Sequence, residues 1–276
     1  MIQIKDLRFS YPGSRHQVFD GLDLSMEPGK IYGLLGKNGQ GKSTLLYLMS
    51  GLLRARQNEV MFDGMDMRDR RPEALQDIFI VPEEYDLPRM SMRQFIKLNE
   101  KFYPRFSVDV LQQSLRDFEM PEVVNLKALS MGQKKKVYMS FALAANTRLL
   151  LMDEPTNGLD IPSKSLFRKA MANNMADDRT LIISTHQVHD VEALLDHILI
   201  LDESQLKLNA STSAITDRYS FEFRQPSEMD ADVLYAEPSL QGNSVIVRRR
   251  EGSPETQLNL ELFFNAVTQN KLVYTE

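Results

Sequence analysis

Residues 36–44 read GKNGQGKST, three glycines leading into a lysine and two hydroxyls. The spacing fits G-x-x-x-x-G-K-[ST], and it sits between the strand-like run KIYGLLG and the helical-period segment KSTLLYLMSGLL. Gly36, Gly39 and Gly41 allow backbone N–H groups to curl around phosphate oxygens, and the following helix points its positive end at them. Lys42 is expected to bridge β- and γ-phosphates and Ser43 to ligate Mg²⁺, so a nucleoside triphosphate with Mg²⁺ is the expected ligand pair. Lys37, Asn38, Gln40 and Thr44 complete the nucleotide-binding stretch. A second reactive pair closes the apolar run RLLLMDE, which ends in Asp153 and Glu154. Two carboxylates on the end of a buried strand are costly unless they meet a cation or water. Asp153 is expected to hold Mg²⁺, and Glu154 to orient or deprotonate an attacking water.

A third segment, LKALSMGQKKKVYMSFALA at 126–144, carries an S-x-x-Q capping box of Ser130 and Gln133 around Gly132. Lys134, Lys135 and Lys136 then crowd a helix end where the dipole is already positive. An anion held at that end in the working state would account for them. An ordinary capped helix with a solvated lysine face is the other reading.

Strands must deliver these groups to one place. Short apolar strands at 149–152, TLIIST and ILILDE alternate with helical segments, which implies a parallel core sheet. The N-terminal stretch to about residue 32 alternates around YPG and EPG turns and reads as antiparallel strands. Pro82 ends the strand in DIFIVP, and SMRQFIKLNEKFY and SVDVLQQSLRDFEM turn helical. After about residue 217 come YSFEFRQ, DVLYAE and NSVIVRRR, three short strands, and then the helix NLELFFNAVTQN. The arginines of VIVRRREG read as a solvated strand end.

Composition narrows the class. The 276 residues carry a net charge of −5, which offers no global field for nucleic acid, and no nucleic-acid partner is expected. With no cysteine, thiol catalysis, disulfides and thiolate metal sites are excluded. The start MIQIKDLRFSY lacks the apolar region of a signal peptide, and no apolar run approaches the roughly 18 residues of a spanning helix.

GKNGQGKST, LSMGQ, LLLMDEPTNGLD and STHQ, in that order, resemble the motifs of ATP-binding cassette (ABC) ATPases over about residues 1–217. The resemblance implies an α/β P-loop NTPase core at 1–217: a parallel core sheet, an antiparallel β subdomain and a helical subdomain at about 84–142. Residues 218–276 would form a small α+β C-terminal appendage. It also implies head-to-tail pairing with a second ATPase domain, identical or paralogous, in which Ser130, Gly132 and Gln133 close over the partner's ATP. By the same resemblance His186 contacts the γ-phosphate and attacking water, and Asp160 lies in the loop crossing the dimer interface. Tyr11 would stack on adenine; an edge-strand tyrosine packing on the sheet is its alternative. Glu83 stands where the family commonly has a glutamine reaching Mg²⁺, and a carboxylate there is expected to remain competent. His186 and His189 form an H-x-x-H pair with no third ligand, so no transition-metal site is expected. Residues 84–120 resemble bacterial exporter ATPases whose membrane proteins are separate chains. The expected role is therefore the ATPase subunit of an exporter, cytoplasmic and peripheral on the inner membrane face through an integral membrane permease. A soluble ABC ATPase of the iron–sulfur assembly type is the alternative.

Overall fold

The structure, a computed structural model, describes residues 1–56, 59–121, 124–250, 252–272 and 274. β1 (Ile2–Phe9) and β2 (Phe19–Met26) pair antiparallel, with Ile2 and Ile4 inward and then, past an irregularity where Asp6 takes φ +45°, Leu7 and Phe9 inward and Arg8 outward. β3 (Ile31–Leu35) is buried along its length and runs into the glycine loop before α1 (Lys42–Met49). The helical period suggested a helix to Leu53. It stops at Met49, because Gly51 takes φ +71°, the left-handed conformation that ends helices. β4 (Val60–Phe62) and β5 (Met65–Asp66) form a hairpin, and β4 pairs with β1. α2 (Pro72–Leu75) then leads into β6 (Ile78–Val81).

The helical region follows with α3 (Met92–Asn99), α4 (Val108–Asp117) and α5 (Met131–Ala144). Phe141 on α5 gathers Phe95, Phe106 and Phe79 at ring separations of 4.8, 5.2 and 6.0 Å. Leu111, Leu115 and Phe118 are buried here, but Leu98 and Phe102 stand 54% and 59% exposed.

β7 (Leu149–Asp153), α6 (Ile161–Asn173), β8 (Thr180–Thr185) and β9 (His197–Asp202) complete the expected alternation. The central sheet runs β9-β3-β8-β7-β6, all parallel, with β10 (Gln205–Ser211) antiparallel on the β9 edge. Neither β10 nor α7 (Thr212–Arg218) was read from the sequence, although QLKLNAS alternates in the way a half-buried edge strand does. β11 (Tyr219–Arg224), β12 (Val233–Ser239) and β13 (Gly242–Arg248) form a separate antiparallel sheet ordered β11-β13-β12. α8 (Leu260–Thr268) packs Phe263 against Tyr219 and Phe221 of that sheet. Full burial of such a side chain contributes about 1.5–3 kcal/mol. One apolar cluster includes Phe263, Ile215, Ile198 and Phe141, so appendage, central sheet and helical region share a continuous core. A second cluster seats Leu45, Leu46 and Met49 of α1 between the antiparallel sheet and Leu34, Leu151 and Ile182 of the central one. That packing fixes where α1 begins.

Candidate active site

Leu35 sits beside Thr185, Ser184 beside Asp153, and Met152 beside Val81, so β3, β8, β7 and β6 end level with one another. The loops after them carry Gly36 to Gly41, His186, Glu154 and Glu83, with Lys42 and Ser43 opening α1, and all lie at the same carboxyl edge of the sheet. Open parallel sheets bind ligands at that edge.

The glycine loop is shaped by close approach and by left-handed backbone. A Cβ at Gly36 would meet the Leu201 carbonyl at 2.7 Å, and Gly41 combines φ +94° with Val18 Cγ1 only 2.8 Å from a would-be Cβ. As N-cap of α1, Gly41 supplies no side chain, so the first-turn N–H groups have no side-chain cap. Gln40 Oε1 accepts from the Glu203 N–H at 2.7 Å and ties the loop to the turn after β9. Lys42 Nζ donates to the carbonyls of Gly36 (2.7 Å) and Lys37 (3.2 Å). It stands 3.7 Å from Glu154 Oε1, an ion pair too long for a hydrogen bond. Burial draws the Lys42 ammonium below the usual lysine range, against the opposing pull of Glu154 and Asp153. Ser43 is half-buried beside it. Tyr11, 41% exposed, contacts Thr44 Oγ1 through its hydroxyl at 3.0 Å and meets Phe9 edge-on at 5.2 Å.

Glu154 adopts φ +44°, a left-handed conformation whose cost for a non-glycine residue is of order 1–3 kcal/mol. Its carboxylate accepts from Thr185 Oγ1 at 3.0 Å and the His186 N–H at 3.1 Å, and lies 2.8 Å from His186 Nδ1. In the neutral imidazole, a carboxylate acceptor places the hydrogen on Nδ1 and leaves Nε2 to accept. Asp153 is 2% exposed, and its Oδ1 accepts from Ser184 Oγ. Glu83 Oε1 accepts from Asn157 Nδ2 at 2.9 Å, and Lys135 Nζ donates to the Asn157 carbonyl at 2.5 Å. Burial lowers Lys135 from the usual lysine range while Glu83 and Glu154 oppose the shift. Sequence reasoning missed Asn157, Ser184 and Thr185. The hydroxyl pair before His186 and the Asn inside PTNGLD were the available signals.

The S-x-x-Q box is present: Ser130 Oγ accepts from the Gln133 N–H (3.3 Å) and Gln133 Oε1 from the Ser130 N–H (3.0 Å). Asp160 caps α6, accepting from the Ser163 N–H at 2.9 Å, and these hydrogen bonds hold its carboxyl below the ordinary range. Among the described residues, no hydrogen bond or ion pair joins Ser130, Gly132, Gln133 or Asp160 to the glycine loop. Lys134 and Lys135 both line a cavity of about 390 Å³ with Glu83, Glu84 and Asp86, and Lys135 also anchors Asn157.

Oxygen donors of Ser43, Glu83 and Asp153 suit Mg²⁺, which is held by one or two carboxylates plus substrate phosphate and water. Each of the two carboxylates has one oxygen engaged, by Asn157 or Ser184, and keeps its other oxygen without a protein partner among the described residues. Among the described residues no group of three or more His, Cys, Asp or Glu side chains could hold a metal on its own. None of their helices is long and apolar enough to cross a membrane.

The family model described as ABC transporter matches residues 19–157. The ABC transporter ATP-binding protein YtrB of Bacillus subtilis is 30% identical over 210 residues, 75% of this chain and 70% of that protein. The Nod factor export ATP-binding protein I of Cupriavidus metallidurans is 28% identical over 73% of this chain and 68% of its own. The methionine import ATP-binding protein MetN of Carboxydothermus hydrogenoformans is 31% identical over 75% of this chain and 65% of its own. A solved ATP-binding subunit of an ABC transporter shares the fold at TM-score 0.69 and 24% identity, over 78% of this chain and 91% of that one. The match to residues 19–157 covers the glycine loop and the Asp153–Glu154 pair, and with the likeness to YtrB it places this chain in the ABC transporter family as an ATP-binding subunit that hydrolyses ATP.

Proposed function

We propose that the protein powers a separate membrane-spanning exporter subunit through ATP-driven head-to-tail dimerisation. The observation that carries this reading is Gly132. A Cβ there would meet nothing within 4 Å, and its φ is not positive, so its own chain gives no reason for glycine. Glycine within a helix costs roughly 0.5–1 kcal/mol relative to alanine. A surface that approaches closely from another molecule supplies the reason, and Met131 beside it is 69% exposed. Each chain then presents two half-sites, the Lys42–Glu154 edge and the Ser130 helix end.

In this reading Lys42 leaves its loop carbonyls for the terminal phosphates, and Tyr11 supports the base. Ser43, Asp153 and Glu83 would hold Mg²⁺, which would supply positive charge against the phosphate oxygens. Glu154 orients the attacking water and takes its proton. His186 Nδ1–H and Thr185 Oγ1 keep that carboxylate in one position, and Asp160 crosses the interface. Residues 1–217 form the cassette and 218–276 its appendage. The exposed Leu98 and Phe102 give the helical region an apolar surface for the membrane subunit, which would hold the protein at the inner membrane face. Export follows from the resemblance of residues 84–120, since relatives named for export and for import both match.

The test is a tagged Glu154→Gln chain, captured with ATP and Mg²⁺ from detergent-solubilised membranes and from the soluble fraction. A stoichiometric multi-spanning protein found only in the membrane capture supports the proposal. Soluble partners alone, with the chain absent from membranes, would replace it with a soluble ATP-driven machine of the iron–sulfur assembly type.

A further inference from the structure

On the antiparallel-sheet side of the molecule lies a cavity of about 560 Å³, within the range of small-molecule sites, lined by Arg8, Arg54, Arg56, Arg68, Ser10 and Gln17 among others. Four guanidinium groups border it, and none of its lining residues is acidic. Arg8 is engaged, with Asp6 at 3.1 Å and Asp20 at 3.8 Å. Two acids close by in sequence are turned to the backbone: Glu59 accepts from the Arg56 N–H and Asp66 from the Arg68 N–H, both at 2.9 Å. Among the described residues, the side chains of Arg54, Arg56 and Arg68 have no ion pair or hydrogen bond. The chain carries a net charge of −5, yet three arginines without a partner among the described residues border this one concavity. Like charges brought together repel, and a cleft lined by one sign focuses the field on a counter-ion.

We propose that this cavity is a second anion site, separate from the glycine loop, for a small multiply charged phosphate group. Guanidinium forks match phosphate oxygens two at a time, and three of them offset more charge than a single carboxylate carries. Ser10 and Gln17 add neutral hydrogen-bonding groups, and Phe9 is an apolar part of the lining. Phe9 also meets Tyr11 edge-on at 5.2 Å, so an occupant sits one aromatic ring away from the ring expected to hold adenine. The arginines are exposed, so binding weakens steeply with salt. The phosphate can belong to a soluble compound or to a lipid headgroup, and the chemistry of recognition is shared.

The experiment saturates the full chain with a non-hydrolysable ATP analogue and excess Mg²⁺, then titrates inorganic pyrophosphate by calorimetry. In parallel, the same complex is sedimented with phosphatidylinositol 4-phosphate vesicles and with phosphatidylcholine vesicles. Arg54→Ala/Arg68→Ala is the comparison, and its unchanged affinity for the analogue reports that it is folded. The expected result is pyrophosphate binding beyond the analogue, weakened about tenfold or more in the double variant. Binding to the phosphoinositide vesicles alone, lost in the same variant, supports the site and assigns the phosphate to a headgroup. Three outcomes overturn the proposal: no binding of either probe, equal binding by the double variant, or pyrophosphate binding that disappears once the analogue is saturating.

Discussion

His186 and His189 each meet a glutamate, three residues apart in the chain, in two different settings. His186 Nδ1 lies 2.8 Å from Glu154, whose side chain is 7% exposed and also accepts from Thr185 and a backbone N–H. His189 Nε2 lies 2.5 Å from Glu261 of α8, with the two side chains 71% and 54% exposed. By distance alone the second contact is the better one. Solvent reverses that order: an exposed pair is screened and spends side-chain entropy to hold its geometry, whereas a buried carboxylate must keep its donors. The same two residue types thus form a fixed element of the active edge at one position and a minor surface contact at the other.

Glu154→Gln probes the buried pair most severely. An amide keeps the shape but cannot take a proton, so turnover should fall by about 10²–10⁴ while nucleotide binding persists. Phosphate release and fluorescent-nucleotide binding measure the two quantities, and a loss under tenfold would dissolve the contrast drawn above. His186→Ala comes next. It removes one donor to a charged group but leaves the Thr185 hydroxyl and the backbone N–H at residue 186, so a loss of about 1.5–3 kcal/mol, roughly 10–100-fold in turnover, is expected.

Tyr11→Ala should weaken nucleotide binding by about 1–3 kcal/mol, the usual worth of an aromatic ring under a base. Tyr11→Phe keeps the ring and loses only the Thr44 contact, so equilibrium binding by the two variants separates stacking from hydrogen bonding. Glu83→Gln should change ATPase activity little, since its amide oxygen can still accept from Asn157. Complete loss of activity with normal ATP binding would show that the carboxylate itself is required.

The chemical groups of the active edge were legible because each motif is contiguous. Gly36 to Thr44 and Asp153–Glu154 carry their spacing in the chain, and the strands that present them are short apolar runs. What could not be read was pairing across the sheet. That Ser184 would hold Asp153, or Asn157 would join Glu83 to Lys135, depends on strand order, which residue types do not encode locally. β10 alternates visibly but weakly, and α7 is a seven-residue segment with a serine cap and little apolar period. The arginine cavity draws on β1 and on the stretches after α1 and β5, so no linear motif announces it. Residues 1–26 contribute half of what shapes it.

His189→Ala is the smallest effect expected and the one that tests the contrast from the other side. The variant loses the Glu261 contact and a 3.9 Å approach to Glu192. α8 nonetheless keeps its main attachments, because Glu192 Oε1 still accepts from the Leu260 N–H at 2.9 Å and Leu260, Leu262 and Phe263 remain buried. Stability should therefore change by less than about 1 kcal/mol, read as a small shift in Tm, and turnover should match the parent. Glu192→Ala, which removes that acceptor from the start of α8, should cost more than His189→Ala in the same melt. If His189→Ala instead lowered turnover as far as His186→Ala, exposure would be the wrong criterion. The contact with α8 would then have to act on the active edge through residues 187–189, where Lys164 bonds Gln187 at 3.1 Å.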